Sequence, residues 1–430
     1  MINHNIVYNK LENGLRYVIA PFNCLNTCCV YIYVKIGSAF EEPQFSGISH
    51  FIEHLVFKGT KKRKNTYALL HQLDYIGAEY NAFTTQFMTV YHFKVQQKYL
   101  EKALDIFTDM LFNTVFKEKE IDLERDVVFE EMKKTKDDPS EYIEDIIFNT
   151  LYKNNTLGND VLGKKKTLKN CKKNILENFY KKYYVPNNMV VSISGKTDCD
   201  INNILEKYFN IKNNLIIANT KLSIKPNYKF SVIFKKQDIQ QSVFSIVFPT
   251  FGFNNNMKYP LEIIDCILGG NMTSRLFMEL REKQALVYSI SSEVYFMENI
   301  GYIRIKGACD YKNFERATIK IIEQIKLLKQ KKITQNELDK SKSYINTSFN
   351  MSMEDTESIS DYYGNFLFYN LPIVTINQEN KNIQNVKMEC INQAIDCIFN
   401  FDKMYIFQIG LYNKGLNYFK EKILNYAFKK

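Results

Sequence analysis

Apolar and polar residues alternate along several short segments of the chain, and longer segments with helical periodicity follow them. Alternation with a period of two predicts strands at residues 30–36, 89–95, 232–234 and 243–248. An apolar stripe with helical spacing predicts an amphipathic helix over residues 100–112. Strands joined by hairpins and covered by helices on one side are typical of an α+β fold built on antiparallel sheets.

The order of these elements repeats along the chain. Each half contains a strand pair, two helices, two strands and a long helical run, which covers residues 116–132 in the first half and 333–345 in the second. With 430 residues, 45% of them hydrophobic, the chain is long enough for two cores. We therefore predict two similar domains, 1–213 and 229–430, joined by a linker at 214–228 where Asn, Lys and Pro interrupt the pattern.

A helix predicted over residues 46–57 carries the most specific chemical signal. His50, Glu53 and His54 form the pattern H-x-x-E-H. Two imidazoles four positions apart lie on one helix face and can share a Zn2+, and the carboxylate between them is placed to take a proton from a water. The apolar stripe predicts that this face turns away from the core. Only five histidines occur in the chain, so a pair at ligand spacing favours a metal site over an ordinary polar face.

A catalytic zinc needs a third protein ligand and one open position. The helical run that follows offers Glu131, which we expect to face inward with Val127 and Val128 beside it. Glu124 lies two turns earlier on the same face, where it can accept a hydrogen bond from a ligand imidazole. Glu130 is rotated by about 100° from its neighbour and is the second choice as a ligand. Without the histidine motif, these carboxylates would indicate only a solvated helix face.

Residues 50–60, HFIEHLVFKGT, resemble the insulinase/pitrilysin family of zinc metallopeptidases, especially members that include the mitochondrial processing peptidase beta subunit and its single-chain bacterial relatives. Further similar motifs lie at 13–15, 77–84, 124–131 and 184–188. The resemblance implies a zinc-dependent endopeptidase with one Zn2+ per chain. The roles that it implies are metal ligands at His50, His54 and Glu131, a general base at Glu53, and an outer hydrogen-bond partner at Glu124.

The resemblance also implies two substrate-binding elements. One is an edge strand beside the metal, on which an extended peptide can pair; it comprises Asn81, Ala82, Phe83 and Thr84. The other lies across a chamber from the zinc, where Arg281 holds substrate carbonyls and Tyr288 donates to the developing oxyanion. Ala285 stands where the family pattern has glycine, and it adds a Cβ at a turn-like position.

Because one chain carries both the zinc motif and the Arg/Tyr pair, we expect a homodimer whose domains enclose the chamber. A monomer closed by its own two halves is the alternative. The expected substrate is a peptide or an unfolded protein. A catalytically silent scaffold of the same fold, as in respiratory-complex core subunits, is the alternative function.

Charge and cysteine usage restrict the partners and the compartment. The net charge of +10 permits contact with nucleic acid or acidic membranes, but the lysines are spread along the chain without a recognisable nucleic-acid module. We therefore expect no nucleic-acid partner, and no apolar run reaches transmembrane length. The nine cysteines form no C-x-x-C framework and no signal peptide is apparent, which favours a reducing compartment. A cytoplasmic location is expected, or the mitochondrial matrix if the source is eukaryotic.

Overall fold

The computed structural model describes residues 6–22, 24–211, 224, 226, 228–412 and 414–428. Contacts divide the chain into two compact units. The first unit comprises Met1–Thr135, Phe148–Ile224 and Ser352–Thr375, and the second comprises Lys136–Ile147, Lys225–Met351 and Ile376–Lys430. Each unit therefore includes one short segment from the other half of the chain. The predicted division into 1–213 and 229–430 places each of these segments in the opposite domain. Apart from Ile224, Pro226 and Tyr228, the predicted linker 214–228 lies outside the described residues.

Within the described ranges, the first unit contains a six-stranded sheet in the order β1-β2-β6-β3-β5-β4. Its strands are β1 Val7–Lys10, β2 Arg16–Pro21, β3 Thr27–Val34, β4 Glu79–Thr84, β5 Thr89–Gln96 and β6 Met189–Gly195. The β2/β6 pair is parallel and the other pairs are antiparallel. The sheet is antiparallel as predicted except at this pair, which is parallel because β6 returns to the sheet after a long helical crossover.

The second unit repeats this topology. Its five described strands are β7 Ser231–Lys236, β8 Gln241–Phe251, β9 Ser289–Phe296, β10 Ile300–Asp310 and β11 Tyr405–Gly410. They follow the order β7-β11-β8-β10-β9, which reproduces β2-β6-β3-β5-β4 strand for strand. The β7/β11 pair is again the parallel one. The prediction of two similar α+β units is therefore confirmed.

Helices connect and cover the strands. In chain order they are α1 Ile48–Val56, α2 Thr66–Tyr75, α3 Leu100–Asn113, α4 Glu118–Asp137, α5 Pro139–Leu151, α6 Lys165–Asn170, α7 Lys173–Tyr183, α8 Ile201–Phe209, α9 Lys258–Leu268, α10 Phe314–Lys331, α11 Gln335–Ser352, α12 Thr356–Phe368, α13 Ile376–Gln384, α14 Met388–Ile398 and α15 Leu416–Phe428. Within the part of the chain that is described, no helix is long and apolar enough to span a membrane.

The first sheet buries both of its faces. Val30 and Ile32 of β3 point into the main core, while Tyr31 and Tyr33 point to the opposite face, where a second apolar cluster lies. Helix α12 packs on that opposite face against β2, β3 and β6. The Tyr33 hydroxyl donates a hydrogen bond of 2.9 Å to an Asp361 carboxylate oxygen. The prediction of helices on one face is therefore incomplete, because the segment that contains α12 comes from the other half of the chain.

The second unit receives residues 139–147 of α5 in a similar way. Glu144 of this helix pairs with the guanidinium of Arg304 on β10, whose side chain is buried. The ammonium of Lys235 lies 5.9 Å from the ring centroid of Tyr142, also on α5. An ion pair and a cation–π contact thus link α5 to this sheet.

Candidate metal centre

Helix α1 begins at a sharply defined point in the chain. Its N-cap residue, Gly47, has a φ of 95°, which favours glycine, and an added Cβ would lie 2.6 Å from the carbonyl oxygen of Leu162. The buried carboxylate of Glu41 accepts hydrogen bonds from the backbone amides of Gly47 at 2.6 Å and Ser49 at 2.8 Å. Burial raises the pKa of Glu41 to about 7 despite these bonds. A buried carboxylate six residues before the N-cap therefore fixes the start of the helix that carries the histidines.

The histidine face of α1, which was predicted to turn away from the core, is largely buried. Every residue of α1 except His54 is buried, and His50 and Glu53 are only 6% and 8% exposed. Neighbouring elements cover this face, since Glu53 contacts β4 and His54 contacts α4. Burial, with a smaller contribution from His54, lowers the pKa of His50 to about 3. The His50 imidazole is therefore neutral near pH 7, as metal binding requires.

Glu131 of α4 completes a group of three ligand atoms. Its Oε2 atom lies 3.7 Å from His50 Nε2 and 3.6 Å from His54 Nε2. The ligand atoms of these three residues lie within 4.8 Å of one another, and Glu131 Oε2 is buried with no hydrogen-bond partner among the described residues. Ligands about 2.0–2.2 Å from a tetrahedral zinc lie roughly 3.3–3.6 Å apart. Both the donor types and their spacing therefore fit Zn2+.

Glu124 orients one of the imidazoles. Its Oε2 atom lies 3.2 Å from His54 Nδ1, and its Oε1 atom lies 2.5 Å from Lys58 Nζ. Burial alone would raise the pKa of Glu124, but the contacts with His54 and Lys58 outweigh it and lower the pKa. A proton on His54 Nδ1 leaves Nε2 free to bind a metal. Glu124 therefore lies where it was predicted, beside His54. Lys58, four residues after His54, was not predicted as its second partner.

Glu53 faces the ligand group and is held by the edge strand. The Thr84 hydroxyl donates a hydrogen bond of 2.5 Å to Glu53 Oε2. Burial is the main cause that raises the pKa of Glu53 to about 7. Thr84 ends β4, which lies at one end of the sheet and, among the described strands, pairs with β5 alone. Residues 81–84, predicted as an edge strand, all lie in β4; Ala82 is half-buried, while Asn81 and Phe83 are exposed.

The surroundings of Glu131 differ from the prediction at one position. Val128 is buried, but Val127 is 48% exposed. The prediction for Val127 is wrong because the buried face of α4 is rotated away from it and is formed by Ile121, Glu124, Arg125, Val128 and Met132. Glu130, the second choice as a ligand, is exposed and pairs with Lys133 at 2.5 Å.

Arg125 fixes α4 beside α1. Its side chain is buried, and its guanidinium lies 5.7 Å from the ring centroid of Phe51, the residue after His50. Its Nε atom also donates to the carbonyl oxygen of Leu168 at 3.2 Å. These contacts tie the helix that carries Glu131 to the helix that carries the histidines.

Arg281 and Tyr288 lie in the second unit, and the prediction that they face the metal stays a prediction. Arg281 is exposed and its guanidinium lies 5.0 Å from the ring centroid of Phe277. Tyr288 directly precedes β9 and is 71% exposed, while its backbone amide donates to the Ala308 carbonyl oxygen at 2.7 Å. Ala285 has a φ of 47°, the left-handed conformation that glycine adopts more easily.

Two models of known protein families match this chain. Residues 18–165 match the model "Insulinase (Peptidase family M16)", and residues 170–345 match "Peptidase M16 inactive domain". An uncharacterized zinc protease of Bacillus subtilis, YmxG, is 32% identical over 347 residues, which cover 81% of this chain and 84% of the relative. An uncharacterized zinc protease of Rickettsia bellii is 29% identical over 407 residues, covering 92% and 95%. The chain therefore belongs to the insulinase family of peptidases, family M16.

Solved structures show the same fold. A protease from Helicobacter pylori aligns with a TM-score of 0.87 at 22% identity, covering 95% of this chain and 100% of that one. A structure from Pseudomonas fluorescens titled as a peptidase M16 inactive domain also has a TM-score of 0.87, at 19% identity, covering 95% and 99%. The family resemblance and the two-unit fold are thus confirmed.

Proposed function

We propose that this protein is a zinc-dependent endopeptidase that hydrolyses peptides or unfolded, presequence-like segments. The observation that carries the proposal is the convergence of His50, His54 and Glu131 within ligand distance of one ion, beside the carboxylate of Glu53. The Bacillus and Rickettsia relatives are named as zinc proteases, which supports the same activity.

His50, His54 and Glu131 would hold one Zn2+ per chain. When bound, the ion supplies a Lewis acid that polarises the scissile carbonyl and lowers the pKa of a water from 15.7 towards about 7. Glu124 holds the His54 imidazole in the tautomer that presents Nε2 to the ion, through the contact of 3.2 Å with Nδ1. Each of these residues lies on α1 or α4, so two packed helices determine the geometry.

Glu53 moves the proton. Its carboxylate takes a proton from the attacking water as the water oxygen bonds to the carbonyl carbon, and it then delivers this proton to the leaving amine. The Thr84 hydroxyl occupies one carboxylate oxygen, Oε2, and thereby fixes the orientation of the group. Because Thr84 belongs to β4, the base is positioned relative to the strand on which the substrate would pair.

The substrate would add to the free edge of β4 as an extended strand, with backbone hydrogen bonds to residues 81–84. This mode requires an unfolded segment, since a folded protein has no free strand to offer. We place Arg281 and Tyr288 in substrate binding, with Arg281 donating to carbonyl oxygens and Tyr288 to the developing oxyanion. A homodimer is part of the proposal, and light scattering on the protein expressed alone tests it; a requirement for a different subunit would contradict it.

The decisive variant is Glu53→Gln, which keeps the shape of the side chain and removes the base. We expect it to bind zinc as the wild type does, measured by elemental analysis, and to hydrolyse a quenched peptide about 10²–10⁴-fold more slowly. The matched control is Glu130→Gln on the exposed face of α4, which should cleave normally. Full activity of Glu53→Gln would contradict the mechanism. A wild-type protein that binds zinc without turnover would instead be the silent scaffold.

A further inference from the structure

The ammonium of Lys58 contacts the oxygen of Glu124 that does not face His54. Glu124 Oε2 lies 3.2 Å from His54 Nδ1, and Glu124 Oε1 lies 2.5 Å from Lys58 Nζ. The Glu124 side chain is only 8% exposed, and a buried carboxylate oxygen without a partner costs free energy. Lys58 and His54 therefore hold this carboxylate by its two oxygens.

The backbone on both sides of Lys58 is fixed. Lys58 follows Phe57, the C-cap residue of α1, and its amide donates to the Leu55 carbonyl oxygen at 3.0 Å. The next residue, Gly59, has a φ of 127°, and its carbonyl oxygen accepts from the Val115 amide at 3.2 Å. The Lys58 side chain is itself 22% exposed. The turn that ends α1 therefore directs this side chain towards α4.

Two carboxylates face opposite nitrogens of the His54 imidazole. Nδ1 lies 3.2 Å from Glu124, whereas Nε2 lies 3.6 Å from Glu131 Oε2. A neutral imidazole carries one proton, so it can donate to only one of them. A proton on Nε2 would occupy the atom that has to bind the metal ion. The carboxylate that is better placed as an acceptor therefore decides whether the ring can serve as a ligand.

We propose that Lys58 is a positioning residue, which holds Glu124 in the orientation that keeps the His54 proton on Nδ1. This inference rests on the proposed function, because it concerns how the site is prepared for zinc. Without the ammonium, Glu124 Oε1 would lose its partner, and the carboxylate would turn away from His54 to reach another donor. The imidazole would then divide between its two tautomers, of which one cannot bind zinc through Nε2.

An ion pair that only stabilises the fold predicts something different. Removal of Lys58 leaves a buried carboxylate without its cation and lowers the free energy of unfolding in either case. Zinc affinity and the tautomer of His54 separate the two possibilities, because Lys58 reaches His54 only through the orientation of Glu124.

The first test measures zinc affinity by competition with a chromophoric chelator. Lys58→Met removes the ammonium and keeps a long unbranched side chain, and we expect it to bind zinc about 10-fold more weakly than the wild type. Lys58→Arg keeps a cation and should recover most of the affinity. The matched control is Lys61→Met, at an exposed position in the same turn, which should bind zinc as the wild type does. Unchanged or tighter binding by Lys58→Met would overturn the proposal.

The second test reads the tautomer in the zinc-free protein. The chain has only five histidines, so 15N-histidine labelling gives few signals, and their chemical shifts in alkaline buffer report which nitrogen carries the proton. We expect the wild-type His54 proton on Nδ1, and a mixture of both tautomers in Lys58→Met. The same tautomer in both proteins would contradict the role of Lys58.

A double-mutant cycle tests whether Lys58 acts through Glu124. In a Glu124→Gln background, Lys58→Met should change zinc affinity by much less than it does in the wild type. Fully additive losses would overturn the proposal. A wild-type protein that binds no zinc would contradict the proposed function, while the tautomer in the zinc-free protein would still decide the role of Lys58.

Discussion

The two units have the same strand order and the same parallel pair, but among the described residues only the first groups three metal-ligand side chains. Helix α9 follows β8 as α1 follows β3. Counted from the first residue of each helix, α9 has apolar residues where α1 has the motif. Pro260, Ile263 and Ile264 take the places of His50, Glu53 and His54.

The helices α4 and α11, which follow the β4/β5 and β9/β10 hairpins, differ in the same way, because only α4 carries carboxylates at the compared positions. Counted in the same way, Ser341 and Ser348 of α11 take the places of Glu124 and Glu131 of α4. Ile263 and Ile264 are fully buried in the core of the second unit. The sheet and its helices are thus maintained by apolar packing in both units. In the first unit, a few buried polar residues replace part of that packing. Thr84, Glu124 and Lys58 offset their desolvation, as the proposed zinc ion also would.

The largest expected effect comes from making the first unit resemble the second at one ligand position. Glu131→Ser introduces the residue type found at 348 in α11. We expect zinc binding to be lost under conditions that saturate the wild type, since a neutral hydroxyl replaces one of three ligands. Zinc at 1,000 times its dissociation constant stabilises a protein by about 4 kcal/mol. Thermal unfolding with and without zinc should therefore show a stabilisation in the wild type that is absent in Glu131→Ser.

Glu130→Ser is the control for that substitution, because Glu130 is the exposed neighbour of Glu131. Its zinc-dependent stabilisation should equal that of the wild type. A zinc-dependent stabilisation that persists in Glu131→Ser would show that Glu131 is not a ligand.

A smaller effect is expected at the start of α1. The buried carboxylate of Glu41 accepts from the amides at this end, whereas the N-cap of α9, Met257, has no side-chain cap. Burial raises the pKa of Glu41 from 4.5 to about 7. Between pH 4.5 and about pH 7, the folded protein keeps a proton on Glu41 that the unfolded chain has released. The contribution of Glu41 to the free energy of unfolding therefore falls as the pH rises, by up to about 3 kcal/mol.

Glu41→Gln removes this titration. Urea denaturation at several pH values should show a shallower dependence on pH between 4.5 and 7 in Glu41→Gln than in the wild type. Glu42→Gln, at the exposed neighbouring position, should keep the wild-type slope. Equal slopes in all three proteins would mean that Glu41 does not retain a proton on folding.

The smallest effect is expected in the second unit, at Ala285. Its φ of 47° costs a residue with a Cβ about 1–2 kcal/mol, and glycine would relieve this strain. Glycine also raises the entropy of the unfolded chain, which cancels part of the stabilisation. Ala285→Gly should therefore raise the free energy of unfolding by less than about 1 kcal/mol, measured by urea denaturation. A decrease in the free energy of unfolding would show that the Ala285 Cβ makes a contact that stabilises the protein by more than the backbone strain destabilises it.

Much of the candidate site was predictable because its signals are local. The spacing of His50, Glu53 and His54 on one helix and of Glu124 and Glu131 on another depends only on helical periodicity, and the structure brings these residues together. Val127 shows the limit of this reasoning, because it shares a face with Glu131 yet lies in solvent. Which part of a helix face is buried depends on the neighbouring elements, here the contacts of Arg125 with Phe51 of α1 and Leu168 of α6.

The sequence by itself therefore determined the helix and strand segments, the repeat of two α+β halves, and the group of side chains that can bind a metal. The tertiary structure alone decided that α12 covers the back of the first sheet, that one strand pair in each sheet is parallel, and that Glu41 and Lys58 support the site. Periodicity reports which face of a segment is apolar. It does not report which distant segment will cover that face, because that choice depends on packing between residues far apart in the chain.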